Sequence, residues 1–220
     1  EYLKNKNANL KLKCNVKDVV FDNKKKCYKI ILEKDIIYSK KIVFSLPKPA
    51  LIKFSILKPI INILNYSVSC KSLCRTYAIF KDEPFISNLK DKIVTNNHLR
   101  YIIPINPEKG LIMISYTDEI YTKYWNSIKN NQERLKVKII NLIKEVFDVN
   151  IKKPEKVIVC NWDCGVAYWN KNVDSEIISH FLLNPIKDIF ISGENYSMNQ
   201  SWVEGSLETS NKVTELIKNI

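Results

Sequence analysis

The residues best placed to do chemistry are Gly193 and Glu194, near the end of the chain. The apolar run 189–191 before them has the length of a buried strand. Glycine lets the backbone turn and approach a ligand closely, and Glu194 then supplies a carboxylate at the end of that strand. Apolar residues at helical spacing predict a helix over 201–217, with one buried face formed by Val203, Leu207, Val213, Leu216 and Ile217. Such a strand, loop and helix bring an acid and a helix amino terminus to one ligand.

This stretch is similar to the carboxy-terminal flavin-binding signature of the flavin-containing amine oxidase superfamily. The similarity covers Ile-Ser-Gly-Glu at 191–194 and Ser-Trp-Val-Glu-Gly-Ser-Leu-Glu-Thr at 201–209. The superfamily includes monoamine oxidases, polyamine oxidases and lysine-specific histone demethylases. The resemblance therefore implies that FAD is the cofactor and that the protein is an oxidoreductase.

The resemblance also implies which residues bind the cofactor. Gly193 and Glu194 correspond to the positions that meet the ribityl and pyrophosphate region of FAD. The backbone N–H groups of Ser201, Trp202 and Val203, at the helix start, correspond to those that face the O2 edge of the flavin ring. Unpaired N–H groups and the positive end of the helix dipole suit the negative charge of a reduced flavin.

Further site residues follow from weaker parts of the same resemblance. Val16 matches a valine whose backbone touches the adenine. The strand 73–80 resembles a substrate-domain strand that often carries a lysine, and that lysine holds a water near flavin N5. In this chain Arg75 or Thr76 takes the position of the lysine. The alternative is that Arg75 is a surface or sheet-edge arginine without this role. The segment 161–169 resembles the family segment that approaches the flavin ring. By this resemblance, Tyr168 or Trp169 would form part of the wall of the substrate cavity. The alternative is that these aromatic side chains are packed in the core. Arg75 and Tyr168 are therefore the candidate catalytic residues.

The cysteines predict neither a covalent flavin link nor a metal site. Cys164 precedes Gly165, whereas the flavin-linked cysteine of monoamine oxidases follows its glycines, so non-covalent FAD is expected. Two cysteine pairs are spaced four apart, which differs from the spacing of common zinc sites, and the chain has two histidines. Reduced thiols in a cytoplasmic protein are expected for all six: Cys14, Cys27, Cys70, Cys74, Cys160 and Cys164.

The elements that position these residues predict an α/β (α+β) fold. Apolar alternation and short apolar runs predict strands at 10–20, 27–32, 41–46, 73–80, 99–103, 111–116 and 156–160, and helical spacing predicts helices at 118–128, 132–147 and 174–183. By resemblance, residues 1–53 and 155–220 would form a discontinuous FAD-binding domain. Residues 54–154 would form a substrate-binding domain, in which an antiparallel sheet packs with helices.

The amino-acid composition limits the kinds of binding partner that are expected, in particular nucleic acids and membranes. The formal charge is +12, but only Arg75, Arg100 and Arg134 are arginines. The excess of lysine accompanies abundant isoleucine and asparagine, as an A/T-rich genome produces, and base readout favours arginine, so no specific nucleic acid is expected. No apolar run approaches the roughly 20 residues of a membrane span, so no membrane segment is expected in this portion.

The four glycines do not form Gly-x-Gly-x-x-Gly, the loop that holds the pyrophosphate of a dinucleotide. The chain is therefore expected to be a fragment whose partner is an amino-terminal FAD-binding half, in the same polypeptide or in a separate chain. The expected activity is that of an amine oxidase, in which hydride passes from the carbon of a small-molecule amine to flavin N5 and oxygen is the acceptor. The alternatives are an FAD-dependent desaturase or porphyrinogen-type oxidase, and a non-catalytic remnant of the fold.

Overall fold

The structure is a computed structural model that describes residues 8–219. The strands are β1 (Val16–Asp22), β2 (Cys27–Leu32), β3 (Ile36–Ser39), β4 (Ile42–Phe44), β5 (Val68–Ile79), β6 (Ile93–Val94), β7 (Tyr101–Asn106), β8 (Leu111–Asp118), β9 (Lys156–Trp169) and β10 (Ile189–Ile191). The α-helices are α1 (Lys48–Leu51), α2 (Ile61–Ser67), α3 (Pro84–Ser87), α4 (Glu119–Ile128), α5 (Gln132–Phe147), α6 (Ser175–Leu182) and α7 (Val203–Lys218). The predicted α/β (α+β) class is confirmed. No helix in the described part of the chain has both the length and the apolar character needed to cross a membrane.

The chain folds as two compact units. Unit 1 takes the described residues up to Ser69 and those from Ala167 onwards, and unit 2 comprises Cys70–Val166. These are packing units, whereas the predicted segments 1–53, 54–154 and 155–220 describe functional domains. The assignment of a FAD domain and a substrate domain therefore stays a prediction.

Unit 1 contains the antiparallel sheet β1-β2-β3. The β1–β2 hairpin runs from the pair Asp22 and Cys27 to the pair Val16 and Leu32. The predicted strand over 10–20 is wrong at its start, because β2 offers partners only as far as Val16, and Leu10 and Leu12 are exposed. The short strand β3, which was not predicted, completes the sheet.

Unit 1 also contains a parallel pair, in which Ile189–Ile191 of β10 lies beside Ile42–Phe44 of β4. All three residues of β10 are buried, and α7 packs near them through Val213. The predicted buried face of this helix is wrong at its amino-terminal end, since Val203 and Leu207 are exposed. The residues that α7 buries there are small: Gly205 and Thr209, four positions apart on the face that continues to Val213.

Unit 2 is built on a five-stranded sheet in the order β6-β7-β8-β5-β9. β8 runs antiparallel to both β5 and β7. Helices α4 and α5 bury Trp125, Leu135 and Ile139 completely in the core of this unit. The bounds of α5 agree with the prediction, and Asn131 caps its start by accepting a hydrogen bond from the Arg134 N–H.

Cys70 and Cys164 form a disulfide, with their Cα atoms 4.8 Å apart. The prediction of reduced thiols is therefore wrong for this pair. The two residues are 94 positions apart in sequence, and only the pairing of β5 with β9 brings them together. Cys14, Cys27, Cys74 and Cys160 are free thiols.

Candidate functional site

The candidate site lies where β4 and β10 end. Because the two strands are parallel, the residues that follow them meet at the same edge, which is where open α/β sheets bind ligands. The Ser192 N–H donates to the Phe44 carbonyl oxygen at 2.9 Å. The Lys48 N–H donates to Asn195 Oδ1 at 2.8 Å. These hydrogen bonds fix the segment around Gly193 against the end of β4.

Gly193 turns the chain at this edge. Its φ of 136° and ψ of 166° lie in a region that residues with a Cβ rarely adopt. Its N–H donates to Thr209 Oγ1 at 2.9 Å, which ties the turn to α7. A Cβ built on Gly193 would meet no atom within 4 Å, so the glycine borders open space. The turn thus leaves room for a ligand beside the backbone.

Glu194 is half-buried, and its carboxylate points back over the following loop. Oε2 accepts a hydrogen bond from the Ser201 N–H at 2.8 Å, and Oε1 accepts one from Asn195 Nδ2. An ionised carboxylate has about four acceptor positions. Two of them are used within the protein, so the carboxylate can still accept hydrogen bonds from a ligand.

The loop from Asn195 to Ser201 is held by polar contacts to the rest of unit 1. The Tyr196 hydroxyl donates to the Leu64 carbonyl oxygen at 3.0 Å, and burial raises the pKa of this phenol above its ordinary value. Gln200 Oε1 accepts from the Trp169 N–H at 2.8 Å, and Trp169 Nε1 donates to the Ser197 carbonyl oxygen at 3.1 Å. These contacts make the loop a fixed support for Glu194.

Helix α7 begins at Val203 and not at Ser201 as predicted. Ser201 has a φ of 69°, in the left-handed region, and its N–H is already bonded to Glu194. Trp202 is the N-cap, and its side chain makes no capping hydrogen bond. The Gly205 N–H donates to the Trp202 carbonyl oxygen at 3.2 Å, whereas no side chain of the cap accepts from the N–H groups of Val203 and Glu204. Trp202 and Val203 expose 71% and 70% of their surface, so this helix end is also apolar.

Val16 lies in the same unit, on a groove of about 840 Å³. It is the first residue of β1, and the groove is also lined by β4 and by Ser45 and Leu46, which follow β4. β4 lines this groove and is also paired with β10, which ends at the Gly193 turn. Gly193 and Glu194 are not among the residues that line the groove, so a contact of Val16 with the cofactor stays a prediction.

The candidate catalytic residues belong to different units. Arg75, in unit 2, lies on β5 between β8 and β9 and so not at the sheet edge, but it is only half-buried, so the alternative of a surface arginine stays open. Its guanidinium lies 5.0 Å from the ring centre of Tyr116. Its buried Nε, like the buried hydroxyl of Thr76, has no hydrogen-bond partner among the described residues. Tyr168, in unit 1, is 45% exposed, so buried packing is wrong for this residue, whereas Trp169 packs against the core.

Two residues that hold the site were not predicted. Asn195 contacts both Glu194 and the Lys48 backbone, and Thr209 accepts from Gly193 while donating within α7. Both lie in or beside the matched segments, but their side chains serve the protein and a sequence pattern cannot show that. In the described residues, no group of three or more His, Cys, Asp and Glu side chains is arranged to hold a metal ion.

Comparison with known proteins identifies the fold and no closer relationship. No protein-family model and no curated protein matches the chain. Among solved structures, the fold is similar to that of a "putative protoporphyrinogen oxidase" from Exiguobacterium sp. 255-15, with a TM-score of 0.65 and 11% sequence identity. The match covers 94% of this chain and 48% of that protein, so the chain spans about half its length. The chain thus has a mixed α/β fold that is similar to part of that structure.

Proposed function

We propose that the chain is the carboxy-terminal half of an FAD-dependent oxidoreductase. The observation that supports this most directly is the edge formed by β4 and β10. There, a carboxylate with unused acceptor positions, open space beside Gly193 and an uncapped helix amino terminus occur within one segment. This combination suits a ligand that has hydroxyl groups at one end and a negatively charged, ring-shaped part at the other.

In this proposal, each part of the edge has its own role. Glu194 accepts hydrogen bonds from the ribityl hydroxyls, and Gly193 lets the backbone approach them. The N–H groups at the start of α7, from Val203 onwards, face the ring. The Ser201 N–H keeps its bond to Glu194 and so orients the carboxylate. The backbone near Val16 contacts the adenine from its position on the groove beside β4.

When bound, FAD would supply the hydride acceptor for oxidation of the substrate. The contribution of this chain is to bind, orient and shield the reacting groups from water. Arg75 and Thr76 have buried polar atoms without partners, and such atoms favour a bound water or substrate group. The side chain of Tyr168 is exposed, and we propose that it lines the substrate cavity.

The proposal assigns the remaining part of the FAD site to an amino-terminal half. In the described residues, β4 and β10 form a sheet of only two strands, and Val43 on β4 is 47% exposed. Parallel sheets are normally larger and covered on both faces. Since the chain matches about half of a structure described as a protoporphyrinogen oxidase, the added half would supply further parallel strands and the dinucleotide loop.

Two substrate classes remain in the proposal. A small-molecule amine is the first, from the resemblance of residues 188–209 to the amine oxidases. A porphyrinogen-type substrate, oxidised without an amine, is the second, because the solved structure with a similar fold is described as a protoporphyrinogen oxidase. The two classes are tested after the chain has been combined with an amino-terminal half and FAD. Peroxide formed with amines would support the first class, and peroxide formed with a porphyrinogen would support the second. No turnover and no flavin binding would favour a non-catalytic remnant.

The test of the cofactor is a titration. The 220-residue chain is mixed with FAD, alone and together with an amino-terminal half that carries a Gly-x-Gly-x-x-Gly loop, and flavin fluorescence is recorded. Weak binding by the chain alone and tight binding by the pair are expected, because the pyrophosphate contacts come from the added half. Acid precipitation should release all the flavin. Equal affinity with and without the added half would contradict the division of the site, and no affinity in either case would contradict the cofactor.

A further inference from the structure

Unit 2 contains a cleft that the proposed flavin site does not use. Its volume is about 370 Å³, within the roughly 300–1,000 Å³ of small-molecule pockets. It lies where β7 begins and β8 ends, and its lining includes Lys92, Arg100, Tyr101, Tyr116 and Asp118. All of these residues belong to unit 2, so the cleft can be tested independently of the flavin.

The cleft has an excess of positive charge. Lys92 and Arg100 line it with two cations, whereas Asp118 is the one carboxylate in the lining. Among the described residues, none of these three groups forms an ion pair within 4 Å. The lining therefore has a net charge of +1, and the Arg75 guanidinium, 5.0 Å from the ring centre of Tyr116, adds positive charge beside it, so the cleft favours an anionic ligand.

Tyrosines hold the cations and form the apolar part of the walls. Lys92 Nζ lies 5.3 Å from the ring centre of Tyr101, and the Arg100 guanidinium lies 4.7 Å from that of Tyr121. These distances allow cation–π interactions. The ring centres of Tyr101 and Tyr116 are 6.1 Å apart. Aromatic surface in a cleft that is also lined by cations suits a flat, apolar ligand with a negatively charged end.

The position of Arg100 is fixed by its backbone. Its φ of 59° is unusual for a residue with a side chain. The turn is held because the Thr95 N–H donates to the Arg100 carbonyl oxygen at 2.8 Å. Asn97, in the same turn, donates through Nδ2 to the Leu142 carbonyl oxygen on α5 at 2.9 Å. The guanidinium is therefore presented from a turn that is tied to the core of the unit.

We propose that this cleft binds a small planar aromatic monocarboxylate. The carboxylate would lie between Arg100 and Lys92, where the arginine fork can donate two hydrogen bonds and the lysine adds a point charge. The aromatic ring of the ligand would pack against Tyr101 and Tyr116. An amine of the same shape would meet two cations and is expected to be excluded.

The test uses 2-naphthoate and two matched probes, the neutral 2-naphthalenemethanol and the cationic 2-naphthylmethylamine. Each is titrated into the 220-residue chain at low salt, and binding is measured by calorimetry and by NMR of the protein. 2-Naphthoate should bind at least tenfold more tightly than either probe, and its affinity should fall as salt is added. Equal affinity for the alcohol would overturn the ionic part of the proposal. Equal affinity for inorganic phosphate would overturn the aromatic part.

Variants assign the binding to the cleft. Arg100→Gln should weaken 2-naphthoate binding about ten- to a hundredfold, as expected for loss of a charged hydrogen-bond donor, and Arg100→Lys should have a smaller effect. Lys92→Gln should weaken binding about threefold. Lys90→Gln, an exposed position that does not line the cleft, is the control and should leave binding unchanged. If Arg100→Gln does not fold, the affinities of Lys92→Gln and Tyr101→Leu for 2-naphthoate provide the test. Unchanged affinity in both variants would overturn the proposal.

Discussion

The Glu194 carboxylate accepts a hydrogen bond from the Ser201 N–H at 2.8 Å and thereby closes the loop that precedes α7. The residue proposed to bind the cofactor also stabilises its own support. Changes at Glu194 are therefore expected to affect both ligand affinity and the stability of unit 1. Measuring the two quantities in the same variant separates them.

Glu194→Gln should weaken FAD binding by the reconstituted protein about ten- to a hundredfold, because hydrogen bonds to a charged acceptor contribute roughly 1.5–3 kcal/mol. It should also lower the free energy of unfolding, since the new amide NH₂ faces the donors of Ser201 or Asn195. Glu155→Gln, at an exposed position just before β9, should change neither quantity. A Glu194→Gln variant that is destabilised but keeps full affinity would remove this residue from the proposed cofactor site.

Gly193→Ala should destabilise the protein by about 1–3 kcal/mol, through backbone strain and not through a clash. The φ of 136° is unfavourable for alanine, although the added methyl group would meet no atom within 4 Å. Urea unfolding measures the loss. The control is Ser210→Ala, at an exposed position on α7, for which less than about 0.5 kcal/mol is expected. Equal stability of Gly193→Ala and the parent would show that the turn relaxes without the glycine.

Loss of the Cys70–Cys164 disulfide should destabilise unit 2 by about 4 kcal/mol, because the bond closes a loop of 94 residues in the unfolded chain. Cys70→Ser, or reduction with a dithiol, should therefore lower the urea midpoint, whereas Cys14→Ser, at an exposed free thiol, should not. Thiol titration of the unfolded chain provides an independent check. Four reactive thiols are expected before reduction and six afterwards, and six before reduction would contradict the disulfide.

Tyr196 should make stability depend on alkaline pH. Burial raises the pKa of its phenol in the folded state, so the neutral form is favoured on folding. The stabilisation is complete below the unfolded pKa of about 10 and is lost as the pH rises above that value. Tyr196→Phe should reduce this loss but not abolish it, because burial also raises the pKa of Tyr28 and Tyr124. At pH 7 the substitution should cost about 1–3 kcal/mol because the buried acceptor at Leu64 loses its donor. Urea unfolding between pH 7 and 11 tests both effects, with the exposed Tyr66 as the control for Tyr→Phe.

The local elements were predictable where periodicity alone determines them. The run 189–191 is a strand and Gln132–Phe147 is a helix, as their apolar spacing predicts. The placement of an acid directly after a glycine at a strand end could also be predicted, since it needs only neighbouring residues. These features arise from interactions within a few positions along the chain, so the amino-acid order is sufficient to predict them.

Tertiary structure decided the features that depend on residues distant in sequence. β1 begins at Val16 because its partner β2 ends at Leu32. α7 buries Gly205 and Thr209 because that face meets the rest of unit 1. Cys70 meets Cys164 only through the order of strands in a sheet. Amino-acid types and spacing along one segment contain no information about which other segment will pack against it. The sequence by itself therefore determined which chemical groups are present at Gly193 and Glu194, whereas packing determined how far those groups remain exposed.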